Sequence, residues 1–475
     1  MTTAPRSTVQ RRGRRLGGRL AVAALTVGAV AGLLAEPGES APLPPRTEAV
    51  EQAASVAAPA VRIAAPVEVV SIGQTPVMTA PVMAAVERVA AAVGAPTVHG
   101  RSFNAGLWAV RRSGAPVQLA GEGETGTWQF PMSTTALPVD AIGRIMTAPV
   151  AKAIADGAVV LNRTSADLRG AQVGDTLDLI AADGNARRFV LGHIAADADV
   201  GGAELVMSLE QADQLGADRI TRMVIFGQID RAALDAALAA QGLVDGVGVR
   251  INKSWNPFNP DSVLSSTRVK ALLGEVDYRI NGDDSLTLDA GWMATNLQRV
   301  NFRSIGIRAN CHRAIVGDLQ AALDEIAANG LSFAIDLGNT NTFGGCFNPR
   351  FARVSSSIGS VSRHAWAMAI DMNTVTNAQG RTPQMDCRVV RIFRKHNFAW
   401  GGNFLVPDGM NFEWVGEPRH TYAYPSRFCP NLAGGAIEIL TAPPGPTGAS
   451  TESAVRTERD VMFAEFGVVG HDHHD

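Results

Sequence analysis

Apolar and polar residues alternate with a period of two over Val67-Glu68-Val69-Val70-Ser71-Ile72, the pattern of a half-buried strand. The stretch from Ala80 to Ala91 switches to helical periodicity. Short apolar runs at 158–162, 173–179, 188–194 and 222–227 predict further strands, with Asp183-Gly184-Asn185 as a hairpin turn between the second and third. Ser208 and Gln211 read as the capping box of a short helix, and 230–241 as a helix burying Leu234 and Leu238. After a stretch with Pro257, Pro260 and many Asn, Asp and Ser residues, a helix is expected over 267–275. Ile315, Leu319, Ala322, Leu323 and Ile326 fall at helical spacing within 312–329, and Gly330 is the natural stop. A strand at 331–335, a loop at 344–350 and a helix at 385–396 complete the reading. The predicted fold class is α+β and multi-domain. A C-terminal domain (285–430) with a small antiparallel sheet flanked by helices follows a mixed α/β accessory domain (65–250) and a connector (251–284).

The chain ends change this picture. Arg11, Arg12, Arg14, Arg15 and Arg19 precede an uncharged apolar run of 16 residues, Leu20 to Ala35. A spanning helix needs about 20 residues, so residues 1–41 suit a secretory signal, with an uncleaved membrane anchor as the alternative. Either way the rest of the chain is expected outside the cytoplasm, extracellular, in the cell wall or on the outer face of the cytoplasmic membrane. An Ala-, Val- and Pro-rich linker covers 42–64. Residues 431–475 are expected to be a disordered tail, and its His471, His473 and His474 to be solvated. The length of 475 residues implies several domains. The net charge of −3 argues against a dedicated nucleic-acid binder. Four cysteines, Cys311, Cys346, Cys387 and Cys429, all lie in the C-terminal third. An even count in an exported domain predicts two disulfides, with three pairings open. No CxxC spacing occurs, so a four-thiolate zinc site is not expected.

The chemistry concentrates in Ser362-Arg363-His364-Ala365-Trp366-Ala367-Met368-Ala369-Ile370-Asp371 and in Asp408-Gly409-Met410-Asn411-Phe412-Glu413-Trp414. Imidazole and carboxylate are two of zinc's usual ligands, and a catalytic zinc takes three protein ligands plus an open position. With the segment Trp400-Gly401-Gly402-Asn403-Phe404 and the loop Phe347-Asn348-Pro349-Arg350, these motifs resemble the zinc D-Ala-D-Ala carboxypeptidase and L-alanyl-D-glutamate endopeptidase family, the VanY-like group that includes endolysins. That family carries SxHxxGxAxD, WGG(D/N)(W/F) and DxMHFE in this order. The resemblance covers about 130 residues and implies an exported peptidase acting on peptidoglycan stem peptides. It implies zinc as cofactor, His364 and Asp371 as ligands, position 411 as the third ligand and Asp408 as general base. Arg350, or else Arg353, would hold the substrate or its oxyanion. Ser362 and Trp400 would serve on the substrate side, Ser362 bonding near the first ligand or the substrate carboxylate.

Two positions depart from the family. Ala367 stands where the family has glycine, which matters only if the backbone there needs a positive φ. Asn411 stands where the family has its third ligand, histidine, and an amide oxygen is a hard, weak donor better suited to calcium than to zinc. Three readings stay open. His420 or His396 completes the zinc site; the site holds metal weakly; or the domain is a catalytically impaired peptidoglycan binder or regulator. In the middle region the order of elements resembles the MacB-like periplasmic core domain of transporter permeases, which implies a docking or sensing role. His99 and His193 stand alone there and read as structural.

Overall fold

The computed structural model describes residues 67–121, 128–282, 285–336, 343–352 and 360–431. The predicted leader, the linker, the C-terminal tail and Arg353 lie outside the described residues. The architecture is mixed α and β with several sheets, as the periodicity predicts. Among the described residues no helix is long and apolar enough to cross a membrane.

The middle region is built on one large mixed sheet. Its backbone is the 16-residue strand Thr97–Arg112. The first half of this strand pairs with Arg222–Gly227, and the second half with Thr176–Ile180. Its residues Arg101 to Leu107 also pair with Trp128–Leu137. The alternating segment at the start of the region forms Glu68–Gly73, held between Arg222–Gly227 and Gly248–Lys253. The helix Ala80–Ala92 covers one face through Val82, Val86 and Val89. Ser208 and Gln211 form the expected reciprocal capping box. Asp230 caps the helix Arg231–Ala240, which buries Leu234 and Leu238.

The segment read as a connector is a structural joint. Its helix, Ser266–Leu273, and the following strand, Tyr278–Ile280, deliver Val269, Leu273, Val276 and Tyr278 to the core of the C-terminal domain. Tyr278 and Arg279 also pair with Gln129 and Trp128, so this strand extends the large sheet. Between the two regions sits a buried ionic cluster. Lys270 Nζ lies 2.8 Å from Glu204 Oε1 and 3.0 Å from Glu275 Oε1, and Arg169 pairs with both carboxylates. Glu204 accepts further bonds from Ser165 Oγ and the Ser133 amide, each at 2.9 Å. Asp261 makes a second joint. Its carboxylate takes both Arg394 nitrogens, at 2.9 and 2.6 Å, and the Asn403 amide at 2.7 Å.

Among the described residues the core of the C-terminal domain takes side chains from the helices Ser266–Leu273, Ala290–Asn296, Val316–Ala328 and Cys387–Lys395 and from two small sheets. The helix Val316–Ala328 buries Leu319, Ala322, Leu323 and Ile326, and Gly330 follows with φ +67°. The predicted strand at 331–335 is instead a single 3-10 turn, Ser332–Ala334. Its backbone finds no strand partner: the Asn373 side chain bonds the Ala334 carbonyl and the Asp336 amide, and Phe333 is exposed. A five-residue apolar run does not by itself separate strand from turn. The disulfides are Cys311–Cys346 and Cys387–Cys429. The first ties the hairpin strand Ile307–His312 to the loop before the site. The second ties the helix Cys387–Lys395 to the end of the described domain.

Candidate active site

The site is built on a four-stranded sheet in the order Phe343–Gly345, Ala369–Met372, Asn411–Trp414, Phe398–Trp400. Successive strand residues face opposite sides, so the sequence sorts itself. Phe398, Trp400, Phe412 and Ile370 take the face toward the helix Cys387–Lys395, where Phe393 stacks on Phe412 with ring centroids 4.1 Å apart. Asp371, Asn411 and Glu413 take the other face. Asp371 lies directly opposite Asn411, and Glu413 opposite Ala369. Directly opposed side chains sit about 5 Å apart at Cβ. The two polar motifs, far apart in sequence, are thus neighbours through a strand register that alternation alone enforces.

His364 comes to the same place from a 3-10 turn, Arg363–Trp366. Ser362 caps this turn, its hydroxyl accepting the His364 amide at 3.3 Å. The turn ends at Ala367 in the left-handed region, φ 51° and ψ 32°. The alanine that departs from the family pattern therefore occupies a conformation that glycine adopts without strain, at a cost of about 1–2 kcal/mol for a residue bearing Cβ. Its carbonyl accepts the His312 amide at 2.9 Å, which fixes the turn against the disulfide-bonded hairpin.

The imidazole is gripped at both nitrogens. Nδ1 lies 3.1 Å from the Cys346 carbonyl oxygen and Nε2 3.2 Å from Asp371 Oδ1. A carbonyl only accepts, so Nδ1 carries a proton and Nε2 is the nitrogen aimed at the carboxylate. Burial disfavours the imidazolium, but the Asp371 charge and hydrogen bond outweigh it and raise the His364 pKa. The Arg350 guanidinium charge works against this rise. Arg350 is also tied to the turn through backbone, its carbonyl accepting the Ser362 amide at 2.9 Å.

The fit to a cation can be tested on these distances. Ligands at about 2.0–2.2 Å in tetrahedral array around zinc stand about 3.4 Å apart, close to the observed pair. Gly344 makes room beside it: a Cβ there would lie 3.0 Å from Asp371 Cβ. The third position is Asn411, whose Nδ2 donates to Glu413 Oε1 at 3.1 Å. Its Oδ1 is buried and has no hydrogen-bond partner. The pair and this bare amide oxygen, on the residue directly opposite Asp371, are the donors a divalent cation would use here, with the amide as the weak member. Among the described residues no group of three or more His, Cys, Asp or Glu side chains is disposed to hold a metal. His396 does not complete the set: its Nε2 lies 2.7 Å from Glu325 Oε2. His420 does not either, since among the described residues it belongs to no group of three such side chains. Neither histidine therefore stands in for the third ligand at position 411.

Asp408 begins a turn closed by the Asn411 amide on the Asp408 carbonyl, at 3.1 Å. A closed turn and one cross-strand step put its Cα within about 12 Å of that of Asp371. Gln379 Nε2 donates to its Oδ2 at 3.2 Å. Gly401 allows this turn to close, since a Cβ there would meet the Asp408 carbonyl oxygen at 2.5 Å. Trp400 is 1% exposed, and its Nε1 donates to the Gly409 carbonyl at 2.9 Å. Ser362 is likewise buried as the cap of the His364 turn, so in this structure both residues brace the site. Sequence reasoning missed Glu413 and Arg363 as members. Burial pushes the Glu413 carboxyl above the usual glutamate range, opposed by the charges of Arg363 and His364. The period-two spacing of 411 and 413 was the signal available.

A search of curated proteins returns no match. The match obtained lies wholly in the C-terminal third and lends no support to the resemblance noted in the middle region. Residues 356–414, the segment carrying His364, Asp371, Asp408 and Asn411, match the family model described as D-alanyl-D-alanine carboxypeptidase.

Proposed function

We propose that the chain is an exported peptidase of the cell wall that cleaves peptidoglycan stem peptides, at a D-Ala-D-Ala or L-Ala-D-Glu bond. The observation that carries this reading is the His364–Asp371 pair, 3.2 Å apart and oriented by the Cys346 carbonyl, inside the matched segment. His364, Asp371 and Asn411 Oδ1 would hold a zinc ion. When bound, the ion supplies Lewis-acid polarisation of the scissile carbonyl and acidifies its water. The chain's own residues do the rest. The Cys346 carbonyl keeps the His364 Nδ1 proton in place and leaves Nε2 as donor. Asp408 accepts the proton from the attacking water and returns it to the leaving amine. Arg350 offers a planar fork to a stem-peptide carboxylate.

The second reading, a catalytically impaired peptidoglycan-binding or regulatory domain, is favoured by the missing third histidine and the absence of a three-residue ligand group among the described residues. Muropeptide turnover separates the two. The enzyme reading expects zinc-dependent release of D-alanine or of the D-Glu peptide, abolished in Asp408→Ala and raised in Asn411→His. Wall binding without turnover in wild type and Asn411→His alike would establish the binder.

A further inference from the structure

The buried carboxylate of Glu413 has no place in the mechanism above, yet it touches the weakest member of the site. We infer that Glu413, braced by Arg363, is a positioning residue that turns the Asn411 amide so that Oδ1 becomes the third cation donor. This inference rests on the cation reading of the site. An asparagine side chain can present either its NH2 or its oxygen to a neighbour, and the two differ in nothing but their bonding partners. Here Glu413 Oε1 accepts from the NH2 end, at 3.1 Å. The oxygen is thereby turned away from Glu413 and left buried without a partner, on the sheet face that carries Asp371 directly opposite. A buried amide oxygen with no partner costs about 1–3 kcal/mol, a deficit that a bound cation removes.

Glu413 Oε2 makes no hydrogen bond, but it has an ion-pair partner. Arg363 Nε lies 3.8 Å from Glu413 Oε2, and Arg363 Nη2 donates to the Leu264 carbonyl at 2.7 Å. The resulting donor set is one imidazole nitrogen, one carboxylate and one neutral amide oxygen. Compared with a two-histidine set, it discriminates less strongly between zinc and harder cations such as manganese.

The test is titration calorimetry of the full chain with Zn2+ and with Mn2+. Glu413→Ala frees the amide and should weaken Zn2+ binding at least tenfold, the scale of losing a group that orients a ligand. Glu413→Gln, whose amide oxygen still accepts from Asn411 Nδ2, should restore binding to within about threefold. Asn411→Ala should weaken binding as much as Glu413→Ala, and the double variant no further, because both remove one donor. Asn411→His should raise Zn2+ affinity more than Mn2+ affinity. Equal Zn2+ affinity in wild type, Glu413→Ala and Asn411→Ala, with binding lost in His364→Ala, overturns the inference and leaves the cation reading standing. Absence of binding in wild type overturns both.

Discussion

Replacing Lys270 by methionine removes one charge from a cluster that is balanced as it stands. Arg169 and Lys270 face Glu204 and Glu275, two charges of each sign. The Lys270 and Glu204 side chains are 0% exposed, so water cannot compensate. Methionine fills most of the lysine volume, which confines the perturbation to the charge and to the lost bond on the Pro131 carbonyl. Removing one partner of a buried ion pair costs about 3–5 kcal/mol, because it strands the other charge. At roughly 2.1 cal/mol/K per residue, a unit of about 350 residues has an unfolding entropy of about 0.7 kcal/mol/K, so Tm should fall by about 4–7 °C. The assay is differential scanning calorimetry of the full chain. Adding Glu204→Gln to Lys270→Met leaves Arg169 against Glu275 and should recover at least half of the loss. A Lys270→Met shift under about 1 °C, or a double variant no better than the single, would refute the electrostatic account of the joint.

Three further outcomes follow from the same geometry. Burial pushes the Glu275 carboxyl up, but Arg169 and Lys270 outweigh it and hold it below the usual glutamate range. A depressed carboxyl gives stability that is complete above its unfolded value and is lost as pH falls through its folded one. Tm should therefore drop as pH falls below the glutamate range, and drop less steeply in Glu275→Gln. Ala367→Val puts a β-branched residue at φ 51° in a fully buried turn and should cost about 2–3 kcal/mol in urea unfolding. Replacing Cys311 and Cys346 by serine opens a loop closed across 35 residues and should cost about 3–4 kcal/mol. It also frees the Cys346 carbonyl from its anchor, so Zn2+ binding should weaken together with stability.

Much of the site was legible because its residues sit where short-range chemistry decides. Ser362 caps the turn that carries His364, and the period of two puts 411 and 413 on one sheet face with Asp371 opposite. The capping box at Ser208 and the stop at Gly330 were legible for the same local reason. The rest depends on partners distant in sequence. Lys270 lies in the helix expected within the connector, and only tertiary contact with Glu204, 66 positions away, makes it a core residue. The connector segment reads as a linker because Pro257 and Pro260 break periodicity, yet Asp261 beside them anchors Arg394. Trp128–Leu137 escaped notice because Pro131 interrupts its alternation. The cysteine pairing had no local signature, and the structure supplies it. The need for a positive φ at 367 was visible only in outline, as an alanine where the family has glycine.

The most direct test of the central claim is zinc K-edge X-ray absorption of the protein loaded with one equivalent of Zn2+. If His364 and Asp371 share the ion, the spectrum shows one imidazole with oxygen neighbours at about 2.0–2.2 Å and no sulfur, and the imidazole signature disappears in His364→Ala. An all-oxygen shell in wild type, or a signature unchanged by His364→Ala, would contradict it.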